Sequence, residues 1–168
     1  MSHPLVDQLR FTRSEWRRGL RGVTPADALK RIGPTNSIGW IVGHLAWQEQ
    51  RYFVARPQGL LPLPELDRDV ASGAPASTPA LGEMLAAWKT ATTAADPWLD
   101  TLTTESLVEA LPPPGGKRTA GDAIRRVTYH YWFHIGEIQA IRQALGHLRL
   151  PQFVGDIETR APYVPERD

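Results

Sequence analysis

At 168 residues, with 42% apolar and 22% charged side chains, the chain has an ordinary globular composition, which excludes a wholly disordered protein. It contains no cysteine, which excludes disulfides, thiolate metal ligands and a cysteine nucleophile, so any metal must be bound through nitrogen or oxygen. The net charge of +1 does not by itself indicate a nucleic-acid partner. Because no signal-like segment and no run of about 18 apolar residues occurs, we expect a cytoplasmic protein without a membrane partner. We expect residues 1–168 to form a single domain.

The first predicted helix begins at Pro4 and runs to about Gly22. Its apolar residues recur every three or four positions, as in a buried stripe: Leu5, Leu9, Trp16 and Leu20. Arginines follow the same spacing on another face: Arg10, Arg13, Arg17 and Arg21. A basic stripe without interleaved aromatic residues is more typical of a solvated face than of RNA or DNA binding, which is the alternative. Thr24 and Pro25 then begin a capped short helix or turn that ends at Gly33 and serves as a connector.

A second long helix is predicted to follow a cap at Asn36 or Ser37 and to run to Ala55, with Pro57 and Gly59 ending it. His44 lies beside its apolar stripe. Two glycines, Gly39 and Gly43, permit close approach of a neighbouring helix. The two tryptophans near His44, Trp40 and Trp47, are interpreted as core or pocket wall.

Residues 57–78 are rich in proline, glycine and alanine and predict a long crossover loop, of the kind that often lines a site. The third long helix is predicted to begin at Thr78 and Pro79 and to continue to Leu102, with Pro97 kinking or interrupting it. Residues 109–118 form a turn-rich linker. The segment after Gly146 is expected to be loosely ordered or packed on a partner chain.

The fourth long helix spans residues 119–146, between a cap formed by Thr119 with Asp122 and the helix-ending Gly146. A buried stripe runs along it: Val127, Tyr131, His134, Ile138, Ile141 and Leu145. His130 precedes His134 by four residues, so both imidazoles project from nearly the same face. A histidine pair of this kind is by itself more often structural than a metal site, and a third ligand would change that interpretation.

Four long amphipathic helices predict an all-α bundle, in which sites form between facing helices. If the second and fourth helices face each other, His44, His130 and His134 supply three nitrogen ligands and leave a position for water or substrate. Glu137 shares their face and can orient a ligand or move a proton as a catalytic residue, or it is an ordinary surface carboxylate. Glu49 points away and is interpreted as structural. His147 lies beyond the helix end and is left out of the site.

Two stretches, NSIGWIVGHLAWQEQRYF and YHYWFHIGEIQAIRQALGH, resemble the DinB/YfiT-like metalloenzyme superfamily, which includes the mycothiol-dependent maleylpyruvate isomerases. The resemblance implies a four-helix bundle with up-down-down-up connectivity in which residues 57–78 cross over. It also implies one divalent transition metal, often zinc or nickel, bound by the residues matching His44, His130 and His134, and frequently a homodimer. Relatives often carry glutamine where this chain has Glu137, which leaves the proton-transfer group open.

The resemblance implies an enzyme that acts on a small molecule, either a transferase or isomerase with a low-molecular-weight thiol as cosubstrate or a hydrolase. A non-catalytic, metal-stabilised binding module is the alternative. Six tryptophans on a small bundle independently favour a homodimer, because one thin core does not readily bury them all. Metal occupancy is expected to fall below about pH 6, near the ordinary histidine pKa of about 6.5.

Overall fold

In this computed structural model, residues 2–113 and 118–164 are described, and within them the chain is helical with no strand. The helices are α1 Pro4–Gly19, α2 Pro25–Ala28, α3 Ile38–Glu49, a π-helical segment Gln50–Ala55, α4 Arg56–Gln58, α5 Leu66–Asp69, α6 Leu81–Leu99, α7 Thr104–Leu107, α8 Ala120–Ala144 and α9 Ile157–Arg160. The predicted all-α class is confirmed. Parts of the predicted linker and tail, residues 114–117 and 165–168, lie outside the described residues.

The predicted helix caps and the helix-ending glycine are found at the residues expected from the sequence. The Ser37 hydroxyl accepts a hydrogen bond from the backbone N–H of Trp40 at 3.1 Å and caps α3. Thr119 and Asp122 form a reciprocal capping box at the start of α8, each side chain accepting from the other's backbone N–H. Gly146 follows α8 with φ of 78°, a left-handed conformation that glycine adopts without a steric penalty.

Helix α3 is the centre of the fold, because each of its twelve residues is buried. It packs against α6 on one side and α8 on another, while α1 packs against α8. Two glycines, Gly39 and Gly43, allow α3 to approach α6 and the residues just before it closely. A Cβ atom on Gly39 would overlap the carbonyl oxygen of Pro79, and one on Gly43 would overlap the sulfur of Met84. The predicted role of both glycines is therefore confirmed.

Two helix predictions need correction. Helix α6 continues through Pro97 to Leu99, so the predicted interruption does not occur; the proline lies in the last turn, where few helical residues follow it. The second predicted helix is α-helical only to Glu49 and then widens into the π-helical segment. Pro57 is accommodated within α4, and Gly59, with φ of 68°, ends the helical run.

The solvated-face interpretation of the α1 arginines is wrong for Arg13, which is only 6% exposed. Its guanidinium makes two 2.7 Å hydrogen bonds to the carboxylate of Glu49, which is fully buried, and a third to Asp96. The hydroxyl of Tyr131 also donates to Glu49, at 2.9 Å. The structural interpretation of Glu49 is thus confirmed: its carboxylate joins α1, α3 and α8 through one buried polar network.

The described part of the tail packs on the chain's own α1, which neither sequence expectation anticipated. The Phe153 ring lies against Gly19 and makes an edge contact with Trp132. The Gln8 amide donates to the carbonyl of Ala161 at 2.9 Å, and the Arg160 guanidinium donates to a serine of α1 at 2.7 Å. An aromatic ring and two long polar side chains therefore hold this segment in place.

The six tryptophans are accommodated by one core. Four are buried and the other two pack against the same cluster. The tryptophan count therefore no longer supports a dimer, although the dimer itself stays a prediction. Of the helices in residues 2–113 and 118–164, none combines the length and apolar character needed to cross a bilayer.

Candidate metal centre

Helices α3 and α8 bring three imidazoles together, from His44 on α3 and from His130 and His134 on α8. Their ring centroids are 5.1 Å apart for His44 and His130, 5.4 Å for His44 and His134, and 4.5 Å for the α8 pair. One nitrogen from each ring lies within 4.8 Å of the other two. His147 lies elsewhere, beside Arg142 and Asp27, as expected from its position beyond α8.

Each of the three rings is oriented by a hydrogen bond at its Nδ1 atom. His44 Nδ1 lies 2.7 Å from the carbonyl oxygen of Val70, and His134 Nδ1 lies 2.7 Å from Oε2 of Glu137. His130 Nδ1 lies 2.7 Å from the Gln48 side-chain oxygen. Because carbonyl and carboxylate oxygens only accept, each Nδ1 carries the proton and donates it. Each Nε2 is then left with a lone pair, the tautomer a metal ligand needs.

The three Nε2 atoms have no donor among the described residues. The Nε2 atom of His134 is fully buried and makes no hydrogen bond. Burying a polar atom without a partner costs free energy, about 1–3 kcal/mol in proteins. Three lone pairs that face one another without a donor also repel. A bound cation removes both penalties at once, because it accepts all three lone pairs.

Aromatic stacking fixes the ring of His44 from both sides. The centroid of the Trp40 ring lies 4.6 Å from that of His44, with an angle of 12° between the ring planes. The centroid of the Trp47 ring lies 5.2 Å away, with an interplanar angle of 25°. Trp47 is in turn held by a 2.6 Å hydrogen bond from its indole N–H to Asp67 of α5. Both tryptophans are buried in the core and Trp47 also lines the pocket, as the prediction of core or pocket wall allowed, and both stack against the His44 ring.

Burial keeps two of the three imidazoles neutral. It lowers the pKa of His44 to about 4, with the Val70 hydrogen bond partly opposing the shift. Burial, together with the electrostatic effect of His134, His44 and Arg126, lowers the pKa of His130 to about 3. Both groups are therefore deprotonated at neutral pH, as metal binding requires.

Among the described residues, Glu137 makes its hydrogen bond to the centre through His134. Its Oε2 atom is engaged by the His134 Nδ1 proton, and its Oε1 atom makes no hydrogen bond to the described residues. A carboxylate in this position fixes the imidazole orientation and raises its basicity. Of the two roles raised from the sequence, orientation of a ligand is the one this geometry supports.

An open pocket of about 570 Å³ lies beside the three histidines. His44 and His130 are part of its wall, so a small molecule in the pocket reaches the nitrogen cluster directly. This volume lies within the range of roughly 300–1,000 Å³ that is usual for ligand sites. The residues completing its wall are Trp47, Gln48, Arg51, Tyr52, Ser72, Arg126 and Tyr129.

Sequence reasoning missed the groups that orient two of the rings. Gln48 follows His44 by four residues, so helical spacing places it on the same face of α3, and this signal was available. The Val70 carbonyl belongs to the backbone of the predicted crossover loop and leaves no sequence signal. Its contact with His44 confirms the expectation that this loop lines the site.

The donor set fits a divalent transition metal. It consists of three neutral imidazole nitrogens, and within residues 2–113 and 118–164 no fourth histidine, aspartate or glutamate joins the cluster. Three protein ligands leave one coordination position of a bound metal free for water or substrate. The chain belongs to the DinB superfamily, whose family model matches residues 8–138. A search of curated proteins found no match to this chain.

Proposed function

We propose that this protein is a divalent-metal-dependent enzyme that acts on a small molecule, with His44, His130 and His134 as the metal ligands. The observation that carries the proposal is that one nitrogen from each ring lies within 4.8 Å of the other two, while the Nδ1 atom of every ring is engaged in a hydrogen bond elsewhere. Membership of the DinB superfamily supports it. Zinc or nickel is the proposed ion, because neutral imidazole suits both.

The proposed reactions are thiol-dependent transfer or isomerisation, or hydrolysis. When bound, a divalent ion supplies Lewis acidity, which lowers the pKa of a coordinated water or thiol. The chain contributes rigid imidazoles, an open pocket beside them, and aromatic walls that exclude part of the solvent. Since the sequence contains no cysteine, a thiol must enter as a low-molecular-weight cosubstrate.

Glu137 is proposed as a positioning residue for His134. Its free Oε1 atom leaves room for the second role suggested by the sequence, that of a catalytic proton acceptor. The two roles differ in their readouts. Glu137→Gln keeps a hydrogen-bond acceptor for the His134 Nδ1 proton, so it should retain metal; it should lose turnover only if the carboxylate moves a proton.

A panel of thiols with model electrophiles, together with ester and amide substrates, tests the enzymatic proposal. Zinc-loaded and nickel-loaded wild-type protein should show turnover that His44→Ala lacks. Tyr163→Phe is a matched control, because Tyr163 is 89% exposed and lies in the tail. If no thiol, ester or amide is turned over faster by wild type than by His44→Ala, the enzymatic proposal is wrong.

The alternative function is a metal-stabilised binding module without chemistry. It requires a closed site, since structural zinc usually takes four protein ligands. Three converging nitrogens and an adjoining pocket favour an open site instead. In cobalt-substituted protein, azide or a small thiol should change the visible absorption spectrum; a spectrum that responds to neither favours the alternative.

Two further proposals concern connectivity and assembly. We propose that α1, α3, α6 and α8 form a four-helix bundle with up-down-down-up connectivity, supported by the α1–α8 and α3–α6 contacts. A homodimer is proposed from the family resemblance and is tested by light scattering, where a monomeric mass contradicts it. A nucleic-acid partner is not proposed, because Arg13 is buried in ion pairs and cannot reach a phosphate.

A further inference from the structure

The pocket beside the three histidines has a basic wall. Two arginines line it, Arg51 from the π-helical segment and Arg126 from α8, and no aspartate or glutamate is among its lining residues. A third arginine, Arg118, lies directly behind the wall, where its guanidinium donates a 2.6 Å hydrogen bond to the hydroxyl of Tyr52. Positive charge is therefore concentrated on the side of the pocket that faces solvent.

These charges are not neutralised by carboxylates. Within the described residues, neither Arg51 nor Arg126 forms an ion pair, whereas Arg10, Arg13 and Arg18 each bind one or more carboxylates. Arg51 is instead held over the indole of Trp47, with its Cζ atom 5.2 Å from the ring centroid. Stacking of this kind leaves the guanidinium N–H groups free to donate.

Uncharged donors line the same pocket as the arginines and the histidines. Because the Gln48 oxygen accepts from His130, the Gln48 amide N–H groups remain without an acceptor among the described residues. The hydroxyl of Ser72, from the predicted crossover loop, also lines the pocket and makes no other hydrogen bond there. Together these groups offer an array of donors that an anion with several oxygen atoms can accept from.

The wall of the pocket combines positive charge and hydrogen-bond donors with two acceptors, the Nε2 atoms of His44 and His130. The Nε2 lone pairs of His44 and His130 repel an anion, so its oxygens are directed toward Arg51 and Arg126. A planar guanidinium binds carboxylate or phosphate through two parallel hydrogen bonds, which also fixes the orientation of the ligand. The remainder of such a molecule then extends toward the three histidines.

We propose that the pocket recognises a small-molecule anion, whose carboxylate or phosphate binds at Arg51 and Arg126 while its reactive group reaches the three-histidine centre. The second half of this statement rests on the proposed function. The first half does not, because the arginines, Gln48 and Ser72 are independent of any metal. Recognition of an anion can therefore be measured on metal-free protein.

The experiment is calorimetric titration of succinate and of inorganic phosphate into metal-free and zinc-loaded protein, with neutral succinamide as the control ligand. Wild type should bind succinate or phosphate at least about tenfold more tightly than the Arg51→Gln, Arg126→Gln double variant. The matched double variant, Arg21→Gln with Arg125→Gln, loses the same charge outside the pocket and should bind within about twofold of wild type. Preference for succinate identifies a carboxylate, and preference for phosphate identifies a phosphate.

Three results would overturn the inference: equal weakening in both double variants, succinamide binding as tightly as succinate, or no binding of either anion at concentrations up to about 20 mM. Metal content, measured on the same samples, keeps the two proposals apart. Anion binding without metal binding refutes the proposed function alone, and metal binding without anion selectivity refutes this inference alone.

Discussion

The pH dependence of metal affinity should be much weaker than three ordinary histidines would produce. A proton competes with the metal for each imidazole, so the apparent affinity falls once the pH drops below the pKa of the metal-free ligand. The pH of the metal-binding assay is lowered from about 7 to about 5. Across this range an ordinary histidine, with a pKa of about 6.5, becomes mostly protonated.

The magnitude follows from the burial of His44 and His130. An imidazole with a pKa of 6.5 would weaken the apparent affinity roughly 25-fold across this window, and two would weaken it roughly 600-fold. With their pKa values lowered to about 4 and about 3, both rings stay neutral at pH 5, and together they contribute a factor of only about 1.1. The share of the occupancy loss that His44 and His130 cause therefore moves from about pH 6 toward pH 4.

Competition against a chelator of known pH dependence measures the apparent zinc affinity at each pH. We expect a total loss of no more than about 25-fold between pH 7 and pH 5, which is what a single ordinary histidine would give. A loss of several hundredfold would refute the reasoning. Metal-free protein should also become less stable as the pH drops. Between about pH 6.5 and pH 4 the unfolded chain binds protons that folded His44 does not, so the free energy of unfolding should fall.

Two other predictions concern carboxylates with different roles. Glu137→Ala removes the acceptor for the His134 Nδ1 proton and should weaken metal affinity about 10–100-fold, while Glu137→Gln should weaken it less. Competition with a chelator measures both affinities. Equal losses in the two variants would contradict an orienting hydrogen bond. Glu49→Gln removes the buried carboxylate charge that pairs with Arg13 and leaves the guanidinium only the partly exposed Asp96, so it should cost about 3–5 kcal/mol and lower the thermal midpoint by roughly 10 °C. The exposed Glu83→Gln is its control, and a midpoint within about 2 °C of wild type for Glu49→Gln would contradict a structural ion pair.

Local signals in the sequence predicted the parts of the site that lie on one helix. The spacing of His130 and His134 places both rings on one face whatever surrounds them, and the capping box at Thr119 defines where that helix begins. The third ring, His44, could be predicted only by assuming that α3 and α8 face each other. The structure brings these helices into contact, so that assumption is confirmed.

Contacts between distant segments were not predictable in the same way. Arg13 lies on the spacing of a solvated stripe, and only the fold places Glu49, 36 residues away, against it. The Val70 carbonyl that orients His44 is a backbone group and has no signature in side-chain pattern. Gln50, the first residue of the π-helical segment, likewise makes two hydrogen bonds to the backbone of the distant Leu63, at 2.9 and 2.8 Å.

The most direct test of the metal centre is elemental analysis of purified protein and of four single alanine variants. We expect about one divalent metal ion per chain in wild type and in His147→Ala, because His147 bonds to Arg142 and Asp27, outside the cluster. The variants of the three converging residues, His44→Ala, His130→Ala and His134→Ala, should each lose the ion. Metal content in His134→Ala equal to that of wild type would contradict the three-histidine centre.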